Sequence, residues 1–317
     1  MKVIITGAAG CIGKQLVETL LQQSYQVFAT DIKPNPFPQH AGLIYQQLDI
    51  TSDEFLHWVE QVRPQGVIHL ASVLQISKTL TRELAYKIDV QATENLTNLC
   101  AQIGVEKFVI TTSGAAYGYH PENINSLITE DRPTKGNMDY FYSDHKAQVE
   151  QIMANAVDTY PDMKQVILRP GAIIGPNFEG PVVNLFEQRI ITGLIGYPGP
   201  FNFIWSLDVV DYLVEAVTTD ITGQFNVAGD GALSMRQIAK RLNKSYLPLP
   251  PLLIQAALSI LKPLGIIQYG PEQVKFIKYR PVLDNSKIKQ QFNHQPRYTS
   301  EQALDAYLQL SSTDVEQ

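Results

Sequence analysis

Apolar positions along the first 170 residues fall into two alternating textures. Short continuous runs, at Val3 to Ile5, Gln26 to Thr30, Leu43 to Leu48, Gly66 to Ala71, Lys107 to Thr112 and Val166 to Leu168, have the length and continuity of strands buried on both faces of a parallel sheet. Between them, apolar residues recur at helical spacing: Leu16, Leu20 and Leu21 in Lys14 to Gln22, Phe55, Val59 and Val62 in Asp53 to Val62, and Ile88, Ala92, Leu96 and Leu99 in one long helix from Arg82 to Ile103 that Gly104 ends. Tyr140 to Asn155 is a further helix. Such alternation predicts an α/β fold with a Rossmann-type, doubly wound parallel sheet, whose ligands bind beyond the strand C-termini. Gly7, Asp31, Ala71, Ser113 and Arg169 stand at those ends and are expected to face one crevice.

From Gly175 the texture changes, with Gly and Pro clustered between short apolar segments. Phe203 to Leu207 reads as a strand, Asp208 to Val217 as a helix with Asp208 at its cap, and Phe225 to Ala228 as a strand. Ser234 caps a helix through Leu242, and Ser300 to Leu310 is amphipathic with Ala303, Leu304, Tyr307 and Leu308 inward. The most apolar run, Leu247 to Ile267, carries four prolines and Lys262, which interrupt it too much for a membrane span. It reads as a helix lining a pocket or covering a core, with association at a membrane surface as the alternative.

The opening segment carries the first chemistry. Thr6 to Gly13 is a glycine turn of spacing G-x-x-G-x-x-G between a strand and a helix, so unpaired N–H groups and the positive helix end point at whatever lies over the turn. The second strand ends on Asp31, whose carboxylate can accept hydrogen bonds from adenosine ribose hydroxyls and would repel a 2′-phosphate. The cofactor expected is therefore NAD rather than NADP, with nearby Lys33 as the feature that favours NADP. Residues 1–174 are read as the NAD-binding domain, with a return at about 206–228, and residues 175–317 as a smaller α+β substrate-binding lobe.

Composition narrows the surroundings. A net charge of -6 with scattered Lys and Arg gives no basic stripe for nucleic acid. The two cysteines, Cys11 and Cys100, supply neither a disulfide framework nor a metal spacing, and both read as small buried apolar residues. No signal-like segment precedes the first strand, so a cytoplasmic location is expected.

Tyr142 and Lys146 lie one helical turn apart and project from the same face. An ammonium beside a phenol favours phenolate, so the Tyr142 pKa is expected to fall toward the operating range of a general base. Ser113, at a strand end, could then hydrogen-bond the reacting oxygen. Tyr117 and Tyr140 lack a Lys four residues on and read as pocket wall or packing.

With these residues in hand, the chain resembles the extended short-chain dehydrogenase/reductases, the NAD-dependent epimerase/dehydratase group. The resemblance rests on Thr6 to Gly13, Asp49-Ile50, His69-Leu70-Ala71-Ser72, Thr112 to Gly118, Tyr142 with Lys146, Leu168 to Gly171 with Gly175-Pro176, and Phe203 to Val209. It implies that Ser113, Tyr142 and Lys146 form a catalytic triad in which Tyr142 exchanges the substrate proton. It further implies cofactor contacts from Gly7, Gly10, Cys11, Ile12, Gly13 and Asp31, adenine flanked by Asp49 and Ile50, and Leu70, Ala71 and Ser72 passing beneath the cofactor. Pro170, Gly171 and Ile173 would adjoin the nicotinamide, Gly114 and Ala115 would join Ser113 and Tyr142 around the substrate, and Arg280 would face a substrate diphosphate, with a surface Arg near a domain junction as the equal alternative.

Four positions depart from the family pattern. His145 precedes the lysine and is read as a helix-face residue; Asp89 stands where Asn is common; Ala172 replaces an Asn that contacts sugar nucleotides; and Thr112-Ser113-Gly114 lacks the acid pair of sugar dehydratases. The expected activity is reversible hydride transfer at a secondary alcohol, as a sugar or nucleotide-sugar epimerase. The alternatives are a dehydrogenase or ketone reductase acting on a less polar alcohol, and a non-catalytic NAD-binding regulator. A homodimer through the helices at 82–103 and 140–155 is expected by the same likeness, although their apolar faces could equally pack on the sheet.

Overall fold

A computed structural model describes residues 1–77, 79–176, 178, 180–262, 270–271 and 273–313. Its centre is a seven-stranded sheet of β1 (Lys2–Thr6), β2 (Gln26–Asp31), β3 (Leu43–Gln47), β4 (Gly66–His69), β5 (Lys107–Thr111), β6 (Lys164–Pro170) and β7 (Gly223–Val227). The order is β7-β6-β5-β4-β1-β2-β3, and every pairing is parallel. Successive side chains of a strand point to opposite faces, and here both faces are covered. Val3, Ile5, Val27, Ala29, Ile68, Val109 and Leu168 enter one core, and Ile4, Phe28, Val67, Phe108, Ile110 and Ile167 enter the other. That two-sided burial is why the strands read as unbroken apolar runs.

Helices supply the outer layers. The first core is closed by α1 (Cys11–Gln22) and by a helix at Ser206–Thr218. The second is closed by α2 (Asp53–Val62), whose cap Ser52 accepts from the Phe55 N–H at 3.2 Å, and by the helices Ala92–Gln102 and Phe141–Thr159. Leu96, Cys100, Val149 and Met153 thus spend the apolar faces of those last two helices on the sheet. The long helix expected from Arg82 is not uniform: Arg82–Tyr86 passes into a π turn at Lys87–Gln91 before the α-helix resumes. The wide turn carries Asp89, which is 3% exposed and accepts from the Val73 N–H at 2.8 Å. Gly104, at φ +77°, ends the helix as its lack of a Cβ allows.

A third core gathers Ile174, Phe186, Phe201, Phe203, Trp205, Ile238 and Leu304 from the C-terminal half. There Phe203–Trp205 pairs with Ala172–Ile174 and Ser245–Leu249 with Ile190–Leu194, both in parallel. Ser234 forms a capping box with Gln237.

Three sequence expectations change. Asp208 does not cap its helix, which starts at Ser206 after Trp205; it is fully buried, because Arg297 Nη1 at 2.5 Å and His294 Nε2 at 3.0 Å supply its partners. Arg169 does not face the crevice: it is 4% exposed and grips Glu150 with two nitrogens, at 2.9 and 2.7 Å, and the Tyr117 hydroxyl with a third, at 2.7 Å. A charge so buried is held by pairing. Within the run Leu247 to Ile267, Pro251–Leu261 is a helix with no buried residue, so it covers no core; residues 263–267 lie outside the described residues. Among the described residues, no helix is long and apolar enough to cross a membrane.

His69, at the end of β4, makes the fold sensitive to acid. It is 2% exposed, with Nδ1 2.6 Å from Thr6 Oγ1 and Nε2 3.0 Å from Thr93 Oγ1. Burial, assisted by the charge of Lys146, pushes its pKa down to about 3. A histidine that is neutral when folded and titrates near its ordinary value of about 6.5 when unfolded contributes stability above that value and loses it as pH falls toward 3. Unfolding free energy is expected to drop by about 1.4 kcal/mol per pH unit from this group below roughly pH 6. Denaturant titrations of the protein and of His69→Gln, compared between pH 7 and pH 4, check the slope, which the substitution should flatten.

Candidate active site

The glycine turn after β1 is fixed by contacts with its neighbours. Gly7 has φ +68°, and a Cβ there would sit 2.7 Å from the Ala71 backbone N. At Gly13 a Cβ would sit 2.3 Å from the Gly7 carbonyl oxygen. Neither position accepts a side chain without moving backbone. The α1 helix begins at Cys11, three residues earlier than the apolar spacing suggests, so Cys11, Ile12 and Gly13 form its first turn. Gly10 is the N-cap and provides no side-chain acceptor for the first N–H groups. Cys11 is half-buried and Cys100 buried, so only Cys100 meets the expectation for both.

At the end of β2, the Asp31 carboxylate accepts from the Ala9 N–H at 3.0 Å and from the Lys33 N–H at 3.1 Å. The acid and the glycine turn are therefore one unit. Thr6 Oγ1 accepts from the Leu70 and Ala71 N–H groups at 3.2 and 3.3 Å, tying the turn to the end of β4. Asp49 is exposed and accepts from the Thr51 N–H and Oγ1, both at 2.8 Å, while Ile50 is 6% exposed and packs in the second core. Pro170 ends β6; the Gly171 N–H donates to Val227 at 2.9 Å, and Ile173 is half-buried against the first core. Because all seven strands run the same way, the segments following β1, β2, β4, β5 and β6 emerge at one edge of the sheet. A dinucleotide fits this edge: an uncapped helix start, a turn without Cβ atoms and a carboxylate beside it have the donors and acceptors for a pyrophosphate and a ribose.

Ser113, Tyr142 and Lys146 come together there. Tyr142 faces Ser113, whose hydroxyl favours the phenolate, and Lys146 Nζ lies 5.7 Å from the Tyr142 ring centroid. Ser113 Oγ also accepts from the Ala115 N–H at 3.1 Å, opening the 3-10 turn Gly114–Tyr117. Gly114 and Ala115 are buried, and a Cβ on Gly114 would press on Leu283 at 3.1 Å. The expected depression of the Tyr142 pKa is reversed. Burial drives it well above its ordinary value, with only the Ser113 hydrogen bond opposing. Lys146 is 5% exposed, its ammonium donates to the Thr111 carbonyl at 3.3 Å, and burial lowers its own pKa against the pull of Asp89 and Glu150. Sequence spacing placed the two groups side by side but carried no information on their desolvation.

Asp89 and His145 are the residues that sequence reasoning undervalued. His145 is 1% exposed rather than on a solvated helix face, and its Nδ1 lies 3.0 Å from Asp89 Oδ2. The other Asp89 oxygen accepts from Ser72 Oγ at 3.0 Å. The imidazole also meets Tyr86 and Phe141 edge-on, with centroids 5.6 and 5.5 Å away. The signal was available: an Asp in place of Asn and a His in place of a small residue are complementary departures. Around Tyr142, Tyr119, Tyr140 and Phe276 form an aromatic wall, with Tyr140 and Phe276 centroids 4.1 Å apart. Tyr117 is packing, its hydroxyl donating to Asn226 at 2.8 Å. Arg280 lies over the Phe201 ring at 3.8 Å, near Tyr119 and Tyr140, with a buried Nε that has no hydrogen-bond partner.

Several known proteins are similar to this chain. The UDP-glucose 4-epimerase of Caenorhabditis elegans is 27% identical over 246 residues, spanning 67% of this chain and 70% of that protein. The 3-beta-hydroxysteroid dehydrogenase of Mycolicibacterium neoaurum is also 27% identical, over 192 residues, 59% of this chain and 51% of that one. The solved structure of the UDP-glucose 4-epimerase of Thermotoga maritima with UDP-glucose superposes with a TM-score of 0.78 at 20% identity, covering 99% of this chain and 100% of that chain; it establishes the shared fold. A family model described as the NAD dependent epimerase/dehydratase family matches residues 3–228, and with most of the chain inside that match, the protein belongs to this family.

Proposed function

We propose that the protein is an NAD-dependent epimerase acting on a nucleotide sugar, inverting a secondary carbinol carbon. The observation that carries the reading is the Ser113, Tyr142 and Lys146 cluster beside the uncapped glycine turn. NAD, when bound, would supply reversible hydride chemistry at this edge. Gly7, Gly10 and the first turn of α1 would hold its pyrophosphate, Asp31 its adenosine ribose, and Lys146 its second ribose. Asp31 also repels a 2′-phosphate, which favours NAD over NADP.

The proton steps belong to the side chains. Ser113 holds the substrate oxygen, and Tyr142 takes the hydroxyl proton and gives one back. Burial makes the phenolate costly, so proton removal depends on positive charge nearby, and Lys146 is the ammonium placed to provide it. Arg280, with an unpaired buried Nε, is the group suited to a diphosphate. A second reading, a dehydrogenase of a less polar alcohol, is favoured by the aromatic wall of Tyr119, Tyr140 and Phe276 and by Ala172 in place of a polar residue.

The two readings separate in one experiment. With UDP-sugars and NAD, an epimerase yields the epimer with no steady rise in NADH absorbance, whereas a dehydrogenase releases NADH in step with product. A steady rise with steroid-like alcohols and none of the epimer with UDP-sugars overturns the first reading. Tyr142→Phe is expected to lower kcat by about 10²- to 10⁴-fold while preserving the rise in melting temperature that NAD confers. Gly13→Ala should abolish that rise, since its Cβ would strike the Gly7 carbonyl. His145→Ala leaves one Asp89 oxygen unpaired and is expected to cost about 1–3 kcal/mol in urea unfolding; unchanged stability would contradict a structural role for the pair.

A further inference from the structure

The helix Gln273–Lys278 and the two residues after it cross from one half of the chain to the other. The helix packs on Pro251–Leu261 and on the strand Ile190–Leu194, both from the C-terminal half. On the same side, Ile277 fills the space beside Gly199, where a Cβ would meet its Cγ2 at 2.9 Å. Lys278 lies over the Tyr197 ring at 5.0 Å, and Arg280 over Phe201. Toward the cofactor half the segment reaches with other groups. Lys275 Nζ donates to Asp139 Oδ2 at 2.6 Å, Phe276 packs on Tyr140 and, at 4.7 Å, on Tyr119, and the Tyr279 carbonyl accepts from Asn123 Nδ2 at 2.9 Å.

Those contacts cover Tyr142. Ala115, Tyr119 and Phe276 are buried in one cluster, with Tyr140, Tyr142 and Tyr279 packed against it, and burial is the main influence on the Tyr142 phenol. A substrate carbon that comes within reach of that phenol must displace part of the cluster. Tyr119 and Tyr140 are held from the cofactor half: the Tyr119 N–H donates to Asn137 Oδ1 at 2.6 Å, and Tyr140 directly precedes the helix that carries Tyr142. Phe276 belongs to a different element and can leave with it. The ion pair beside it, Lys275 with Asp139, has both side chains nearly half exposed. A pair so exposed biases an opening equilibrium only several-fold, which suits a contact that breaks and re-forms.

Resting on the reading of Tyr142 as the proton-transferring group, we propose that residues 275–280 form a strap over the substrate crevice. It releases Asp139, Tyr140 and Asn123 to admit substrate, stays with the C-terminal half, and closes with Phe276 against the aromatic wall. The test is charge reversal in the full chain. Asp139→Lys sets two ammonium groups against each other, and adding Lys275→Glu rebuilds the pair with its signs exchanged. With NAD saturating, Asp139→Lys is expected to raise KM by about three- to tenfold while kcat changes less than about twofold, and the double variant should restore KM. A second readout needs no substrate. The fluorine signal of 4-fluorophenylalanine incorporated in place of Phe276 should move toward that of a solvent-exposed ring in Asp139→Lys, as the open fraction rises about three- to tenfold, and return in the double variant. Lys275→Glu alone, which sets two carboxylates together, breaks the pair by a second route and should act like Asp139→Lys. Both positions are nearly half exposed, and melting curves with NAD verify that the variants are folded. An unmoved fluorine signal, or one that the double variant fails to return, overturns the proposal, as does an unchanged KM in an active enzyme. A wild-type protein that turns over neither UDP-sugars nor alcohols would instead sink the reading of Tyr142, and the fluorine signal would still decide the strap.

Discussion

Withdrawing an ammonium from water is costly, and the surroundings of Lys146 are arranged around that cost. Two carboxylates, Asp89 and Glu150, stand close enough to oppose it, and each needs partners of its own. Asp89 takes Ser72, the Val73 N–H and His145. Glu150 takes Thr112 at 2.5 Å and the fork of Arg169. These bonds reach the ends of β4, β5 and β6. The buried charge therefore fixes three strand ends and the helix Phe141–Thr159 relative to one another, and the cofactor edge inherits that geometry.

The same network explains what could be read from the sequence. Buried strands and their helices were legible because two-sided burial writes continuous apolar runs, as in Val3 to Ile5 and Gly66 to Ala71, while the covering helices repeat at their own period. The Tyr142 and Lys146 pair was legible from its spacing taken together with the preceding strand that ends in Ser113. Partner choice was not. Arg169 looked like a crevice residue because strand ends usually face ligands; only the fold brings Glu150, 19 residues earlier in the chain, within bonding distance. Asp208 looked like a cap because Asp at a helix start usually is one, and Arg297, 89 residues later, gave it a different task.

The C-terminal half was the least legible part for a related reason. Its elements pair in small two-stranded sheets, whose partners are distant in sequence and leave no periodic trace. Phe276, which comes from a short helix with weak signals of its own, ends up packed at a tilt on Tyr140 beside Tyr142. Such long-range meetings leave no local pattern in the sequence, which is why the surroundings of Tyr142 were less legible than its helix.

The buried grip of Arg169 on Glu150 and Tyr117 has a further consequence. It joins the strand β6, the helix that carries Tyr142 and the turn that follows Ser113, and it involves nothing from the aromatic wall contributed by Phe276. Phe276 thus stands apart from that grip, whereas Tyr140, at the start of the helix that carries Tyr142, does not. An exchange at Phe276 therefore leaves every bond of that grip in place, while an exchange at Tyr140 is felt at once by the first turn of the neighbouring helix.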